Sequence, residues 1–162
     1  MAIRYLKIVF VAFIALLCLF YAGQNIANLD ACYQSFAYVM SRADHQVYSG
    51  SFFPAIENTA LIWLALMLVV GLEFLAGLLA AKGTWDLWLV RNAEAAAFNS
   101  AKTYALLGCG TGIVVWLGLF SVVGGALFQM WQTGPGSQSL EGAFQFFSAC
   151  AFVFLIVNST DD

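Results

Sequence analysis

A single carboxylate interrupts the apolar run from Ala60 to Ala81, and Glu73 is the side chain whose type and setting could do chemistry. In hydrocarbon an ionised carboxylate is costly unless it is protonated, paired or hydrated, so such a residue is a functional hypothesis by default. Two roles compete: a proton or cation site in a pathway, and a structural group hydrogen-bonded to a neighbouring helix or a partner subunit. A relay or coupled transporter normally needs several such groups, and this sequence places one, so the structural role is preferred. Gln24 and Asn25, near the outer end of their segment, and Gln129, near that of its own, are the candidate polar contacts at the other side, with interfacial hydration the preferred reading for each.

The remaining reactive types form no catalytic constellation. Cys18, Cys32, Cys109 and Cys150 have no Cys-x-x-Cys or Cys–His spacing, so no zinc or iron–sulfur site is expected. His45 is the one histidine, which excludes a haem held by two histidines and reads as a solvated loop residue. No serine, threonine or cysteine nucleophile has a histidine base beside it in sequence, and no second buried carboxylate could complete an acid–base pair. The expectation is a protein that is not an enzyme, without a metal site or an assigned cofactor. Gly108-x-Gly110-x-Gly112 lacks the preceding strand that a nucleotide loop requires.

Four stretches must position these residues: roughly residues 5–27, 58–81, 103–128 and 141–158. Each is long and apolar enough, at 1.5 Å rise per residue, to cross a hydrocarbon core about 30 Å thick. Of 162 residues, 62% are hydrophobic and 9% charged, which leaves no polar coat for a water-soluble globule. The fold class is therefore all-α, an integral membrane four-helix bundle, with residues 1–162 forming one membrane domain. A net charge of −3 with scattered cations excludes a nucleic-acid partner. The start, from Arg4 and Lys7 through the apolar run to Ala22-Gly23, also has the layout of a signal peptide, and we read it as an uncleaved first span. Arg4, Lys7, Lys82, Arg91 and Lys102 fall on one side and Arg42 alone on the other, so both termini are expected to be cytoplasmic.

In the first connection Leu29, Tyr33, Phe36 and Met40 recur every three to four residues, predicting a short helix on the outer surface. Ser49-Gly50-Ser51-Phe52-Phe53-Pro54 ends it, and Asn58 or Thr59 can cap the second span. Trp85 to Phe98 predicts a second surface helix on the cytoplasmic side, with Trp85, Trp88 and, at the outer side, Trp131 as interfacial anchors. Gln132 to Ser137 reads as a turn between antiparallel spans three and four. Gly71 and Gly77 on span two, and Gly108, Gly112, Gly118, Gly124 and Gly125 on span three, are small-residue surfaces where another backbone can approach.

Several local sequences together resemble the bacterial family of predicted small integral membrane proteins, a four-span domain of unknown function. They are Arg4-x-x-Lys7, Asn28-Leu29-Asp30, Phe36-Ala37-Tyr38-Val39-Met40-Ser41, the in-span Glu73, Ala97-Phe98-Asn99-Ser100-Ala101-Lys102, Gly124-Gly125, Phe128-x-Met130-Trp131-Gln132 and Ala143-Phe144. The resemblance covers nearly the whole chain and implies the architecture and a bacterial inner-membrane location, with no reaction attached. The chain departs from the pattern at Ala126-Leu127, where a Glu-Trp pair is expected. It departs again at Gly134-Pro135-Gly136-Ser137, in place of Trp-Asn-Gly-Gln. A polar site at the outer face, where the family has one, is therefore altered here.

These readings converge on a non-catalytic accessory or stabilising subunit of a larger membrane complex, respiratory or photosynthetic in setting, acting through helix packing. The alternative is a small transporter or channel component that uses Glu73. Lipids and other integral membrane subunits are the expected partners. The aromatic and apolar grooves would also accept a quinone or pigment, though no residue pattern identifies one.

Overall fold

The computed structural model describes residues 2–48 and 50–162. Met1 of the basic N-terminal segment and Ser49 of the helix-ending stretch lie outside the described residues. The chain runs as α1 (Ala2–Ala27), α2 (Leu29–Ser41), α3 (Thr59–Leu89), α4 (Ala95–Ser100), α5 (Thr103–Ile113) and α6 (Gly134–Asn158). A π-helical segment, Val114–Leu127, continues α5, and there is no strand among the described residues. Four helical rods, α1, α3, α5 with its continuation, and α6, are long and apolar enough to cross a membrane. Each packs on the one before it, and α1 closes the ring against α6, helped by the Tyr21 and Phe146 rings 4.5 Å apart. This is the four-helix bundle expected of the sequence.

Local chemistry sets the helix ends. Asn58 Oδ1 accepts from the amides of Ala60 (3.0 Å) and Leu61 (3.2 Å), which caps α3. Asn28 Nδ2 donates to the Gln24 carbonyl (2.8 Å), answering an orphan carbonyl at the joint between α1 and α2. Thr133 Oγ1 accepts from the Gly136 amide (3.1 Å) and starts α6. The Gly134-Pro135-Gly136 segment, expected as a turn, is therefore the first turn of a helix that begins seven residues before 141. Proline is compatible with that position because its missing N–H would have no intrahelical partner there.

Two further expectations change. Trp85 and Trp88 lie on α3 itself, which continues to Leu89 because nothing between residues 81 and 89 breaks it. The separate helix between α3 and α5 is the six-residue α4. The third span is not uniformly α-helical: Ser121 Oγ donates to the Trp116 carbonyl and the Phe128 amide to the Val123 carbonyl, each five residues back. Helical spacing counted in α turns therefore fails beyond Ile113.

Close approach of backbones holds the centre. A Cβ at Gly108 would meet the backbone of Ala80, and one at Gly83 would overlap the backbone of Ala105, so α3 and α5 touch through reciprocal pairs of small residues. Gly77 lies under Leu19 of α1, Gly112 beside Cys150 of α6, Gly124 beside Met130 and Gly125 beside Leu140. Gly71 and Gly118 do not join this set. Among the described residues nothing comes within 4 Å of a Cβ built at Gly71, and Gly118 meets only Val114 of its own helix. Their spacing placed them on a small-residue surface, but that surface points outward.

Gly108→Ala should lower the stability of the bundle by about 1–3 kcal/mol, the usual cost of overpacking. Gly71→Ala should leave it unchanged or slightly raised. Thermal unfolding of both variants in one detergent checks the contrast, and equal melting of the two would contradict the seam described here.

Candidate functional site

Glu73 stands on the inward side of α3 and is 2% exposed. Its Oε2 accepts from Asn25 Nδ2 at 2.8 Å, so the last turn of α1 supplies the donor. Cys32, one turn into α2, sets its Sγ 3.6 Å from Asn25 Oδ1. Burial pushes the Cys32 thiol above its ordinary range, and the neighbouring Glu73 carboxyl adds to the shift. The joint between α1 and α2 thus folds around buried Glu73 and its half-buried partner Asn25. Gln24, expected beside Asn25, is exposed. The part it plays is through its backbone carbonyl, because its position on the helix turns the side chain away from α3.

A second polar cluster was not grouped by the sequence. At the end of the bundle that carries both Ala2 and Asn158, Lys7 Nζ and Lys102 Nζ each lie 2.6 Å from Asp161 Oδ2. Lys102 Nζ also donates to Asn99 Oδ1 (2.6 Å). Arg4 donates to the carbonyls of Ala93 (2.6 Å), Asp162 (3.2 Å) and Arg91 (3.4 Å), with its guanidinium 4.8 Å from the centre of the Phe98 ring. Burial alone would raise the Asp161 carboxyl. The hydrogen bonds and charges of Lys102 and Lys7 outweigh that and hold it below the usual aspartate range.

The opposite end is tied by neutral amides and by two residues of positive φ. Arg42 (φ 58) and Gln129 (φ 56) both adopt the left-handed conformation, and Arg42 Nη2 donates to Gln129 Oε1 at 3.2 Å. Gln132 donates to the same oxygen (2.8 Å) and accepts from the amides of Val47 and Tyr48 (both 2.9 Å). Gln129 is therefore part of a network. So is His45, expected as a solvated loop residue: its Nε2 donates to the Phe128 carbonyl at 2.7 Å. The loop folds back because that carbonyl ends a π-helical segment and needs a donor.

Cys18, Cys109 and Cys150, read as scattered over three spans, are all buried in the same apolar core. Among the described residues no group of His, Cys, Asp or Glu is arranged to hold a metal ion. Trp85, Trp88 and Trp131 are 60%, 43% and 40% exposed and face outward, whereas Trp116 is 2% exposed and packs inward. Beside the π-helical segment lies an apolar cavity of about 190 Å³, bounded by Phe36, Met40, Leu68, Leu119, Phe120 and Val123 among others.

A family model described as "Predicted small integral membrane protein (DUF2165)" matches residues 3–160. No curated protein and no solved structure matches the chain.

Asn25→Ala removes the donor to a buried carboxyl group and should cost about 1–3 kcal/mol in thermal or denaturant unfolding. Adding Glu73→Leu to that variant should recover most of the loss, and an additive double mutant would rule out the tie. The Asp161 cluster has the opposite kind of test. A carboxyl held below its unfolded value stabilises the fold above that value, and the contribution fades as pH falls through the lower folded value. The difference in melting temperature between the wild type and Asp161→Asn should therefore be full near neutrality and shrink in acid below about pH 4. A difference independent of pH would contradict the ion pairs.

Proposed function

The chain belongs to the family of predicted small integral membrane proteins, and from that premise we propose that it is a non-catalytic subunit that stabilises a larger membrane complex by helix packing. The setting is the bacterial inner membrane, respiratory or photosynthetic, with both termini cytoplasmic. The observation that carries the reading is an open apolar groove on the outward surface, lined by Leu72, Leu75, Leu106, Leu107, Gly110 and Thr111 among others. At its floor no atom among the described residues lies within 4 Å of a Cβ built at Gly110. In lipid, where apolar surface has no reason to leave its solvent, a glycine-floored groove gains from a partner helix through close backbone packing.

The cations support this orientation. Arg4, Lys7, Arg91 and Lys102 gather at the end bearing the termini, and Arg42 lies at the other, which is the arrangement of a cytoplasmic terminal end. Glu73 is engaged by Asn25, which supports a structural carboxyl group over a transport site. The cavity beside the π-helical segment takes an acyl chain end in this reading, so no cofactor is assigned.

Mild-detergent purification followed by mass spectrometry of co-migrating chains should recover other integral membrane subunits. Gly110→Ala, whose added Cβ meets nothing within 4 Å among the described residues, should lose at least most of them while melting like the wild type. Recovery of the wild type as a lone monomer would overturn the proposal. Ion flux abolished by Glu73→Gln with the bundle intact would favour a transporter instead.

A further inference from the structure

The four residues after α6 fold back over three cations that would ordinarily reach for water with their long side chains. Arg4, Lys7 and Lys102 are instead 6%, 1% and 4% exposed. Two oxygens meet the two ammonium groups. The Ser159 carbonyl accepts from Lys7 Nζ (2.8 Å) and Lys102 Nζ (2.6 Å), and Asp161 Oδ2 accepts from the same pair at 2.6 Å each. Both oxygens therefore bridge both nitrogens.

The charges around this point do not balance. Among side chains, three buried cations face one buried carboxylate, because those of Glu94 and Asp162 are exposed. The remainder is met by main-chain oxygens, of Ala93 and Asp162 for Arg4 and of Ser159 for the lysines. Buried charge is stable when it is paired and fully hydrogen-bonded, and dipoles compensate it incompletely. A phosphate group suits the cluster, since its oxygens can bridge two ammonium groups while bringing one negative charge as a diester headgroup and more than one as free phosphate. Arg4 joins the lysines through the same tail, since it donates to a main-chain oxygen of Asp162 next to the residue they hold, and its guanidinium and Lys102 Nζ lie 4.8 Å and 5.6 Å from the centre of the one Phe98 ring.

We propose that Arg4, Lys7 and Lys102 form an anion site of the phosphate class, occupied from within by the Ser159 carbonyl and the Asp161 carboxylate. A phosphate-bearing lipid headgroup or a free phosphate displaces them when residues 159–162 swing away. Besides the lysine contacts, those residues are held by Asn99 Nδ2 to the Asp161 carbonyl (3.0 Å), the Asp161 amide to Asn99 Oδ1 (3.1 Å), Arg4 to a main-chain oxygen of Asp162, and Ser159 to the carbonyls of Leu155 (3.3 Å) and Ile156 (2.7 Å), so displacement needs a ligand that replaces the lysine contacts. The site is separate from the groove at Gly110, so it stands or falls independently of any partner subunit.

Hydrogen exchange at the Asp161 amide reads the docked state directly. The full chain in maltoside micelles is the reference, one arm adds phosphatidylglycerol to the micelle, and the other adds inorganic phosphate to the buffer. Exchange should become severalfold faster in at least one arm. A response to the lipid alone identifies a headgroup site, and a response to phosphate alone a soluble-anion site. Asp161→Asn, which keeps the shape and removes the charge, should retain severalfold more phosphatidylglycerol per chain in native mass spectrometry if the lipid arm responds, or bind phosphate correspondingly more tightly if the phosphate arm does. Lys102→Gln should lose the response. Unchanged Asp161 exchange in both arms overturns the site, as does a response in Lys102→Gln equal to that of the wild type.

Discussion

Hydrocarbon donates and accepts no hydrogen bonds, so every polar atom carried into it must be answered from within the chain. Glu73 is answered by Asn25 across the α1–α3 contact. The hydroxyls of Thr84, Thr111 and Ser121 are answered by carbonyls of their own helix turns. The first of these answers does the most to shape the molecule. Asn25 stands level with Glu73 in the last turn of α1, and the chain changes direction three residues later at Asn28, whose side chain closes the exposed Gln24 carbonyl. The position of α2 along the first turns of α3, with Tyr33 stacked on Trp63 at 4.9 Å, follows from that ending.

The same solvent removes the usual reason for helices to associate, since lipid tails are as apolar as leucine. What remains is contact at short range, and α3 is the helix built for it. Gly77 admits Leu19 of α1 on one side, while Ala80 and Gly83 meet Gly108 and Ala105 of α5 on another. Residues with almost no side chain on both partners bring backbones together along the whole seam. α6 is held less by close backbones than by rings, through Phe146 against Trp116 at 5.3 Å and against Tyr21. One helix of small residues and one of aromatics close the bundle from opposite sides.

The spans were legible because a long apolar run is a property of consecutive residues. So was Glu73 as an intruder, for the same reason, whereas Asn25 read as a polar residue at the other end of its segment and its pairing with Glu73 was not visible. What sequence order concealed depends on contacts between distant residues or on a change of helical pitch. Lys7 and Asp161 are separated by 154 positions, and no pattern at that range marks them as partners. Gly71 and Gly118 have the spacing of packing residues, yet spacing states which side of a helix they share and not what that side meets. Gly134-Pro135-Gly136 has the composition of a turn, and only the Thr133 cap reveals it as a helix start. The π-helical stretch gives no compositional sign at all, since valine, leucine and glycine serve either pitch.

The two ends of the bundle are secured by different physics, and α1 joins them. At the terminal end Lys7 is fixed by a carboxylate, an interaction that responds to charge in its surroundings. At the far end of the same helix Asn25 is fixed by a hydrogen bond inside the bundle, and Val11, Ile14, Cys18 and Ala22 are buried between them. A continuous helix resists twisting between two anchored levels. An event at the charged end therefore reaches Glu73 only by moving α1 as a rod, and the side of the rod facing α3 is filled by Leu19 over Gly77, where there is no slack to absorb rotation. The geometry thus separates an ionic anchor at the terminal end from a neutral one at the far end of the same helix.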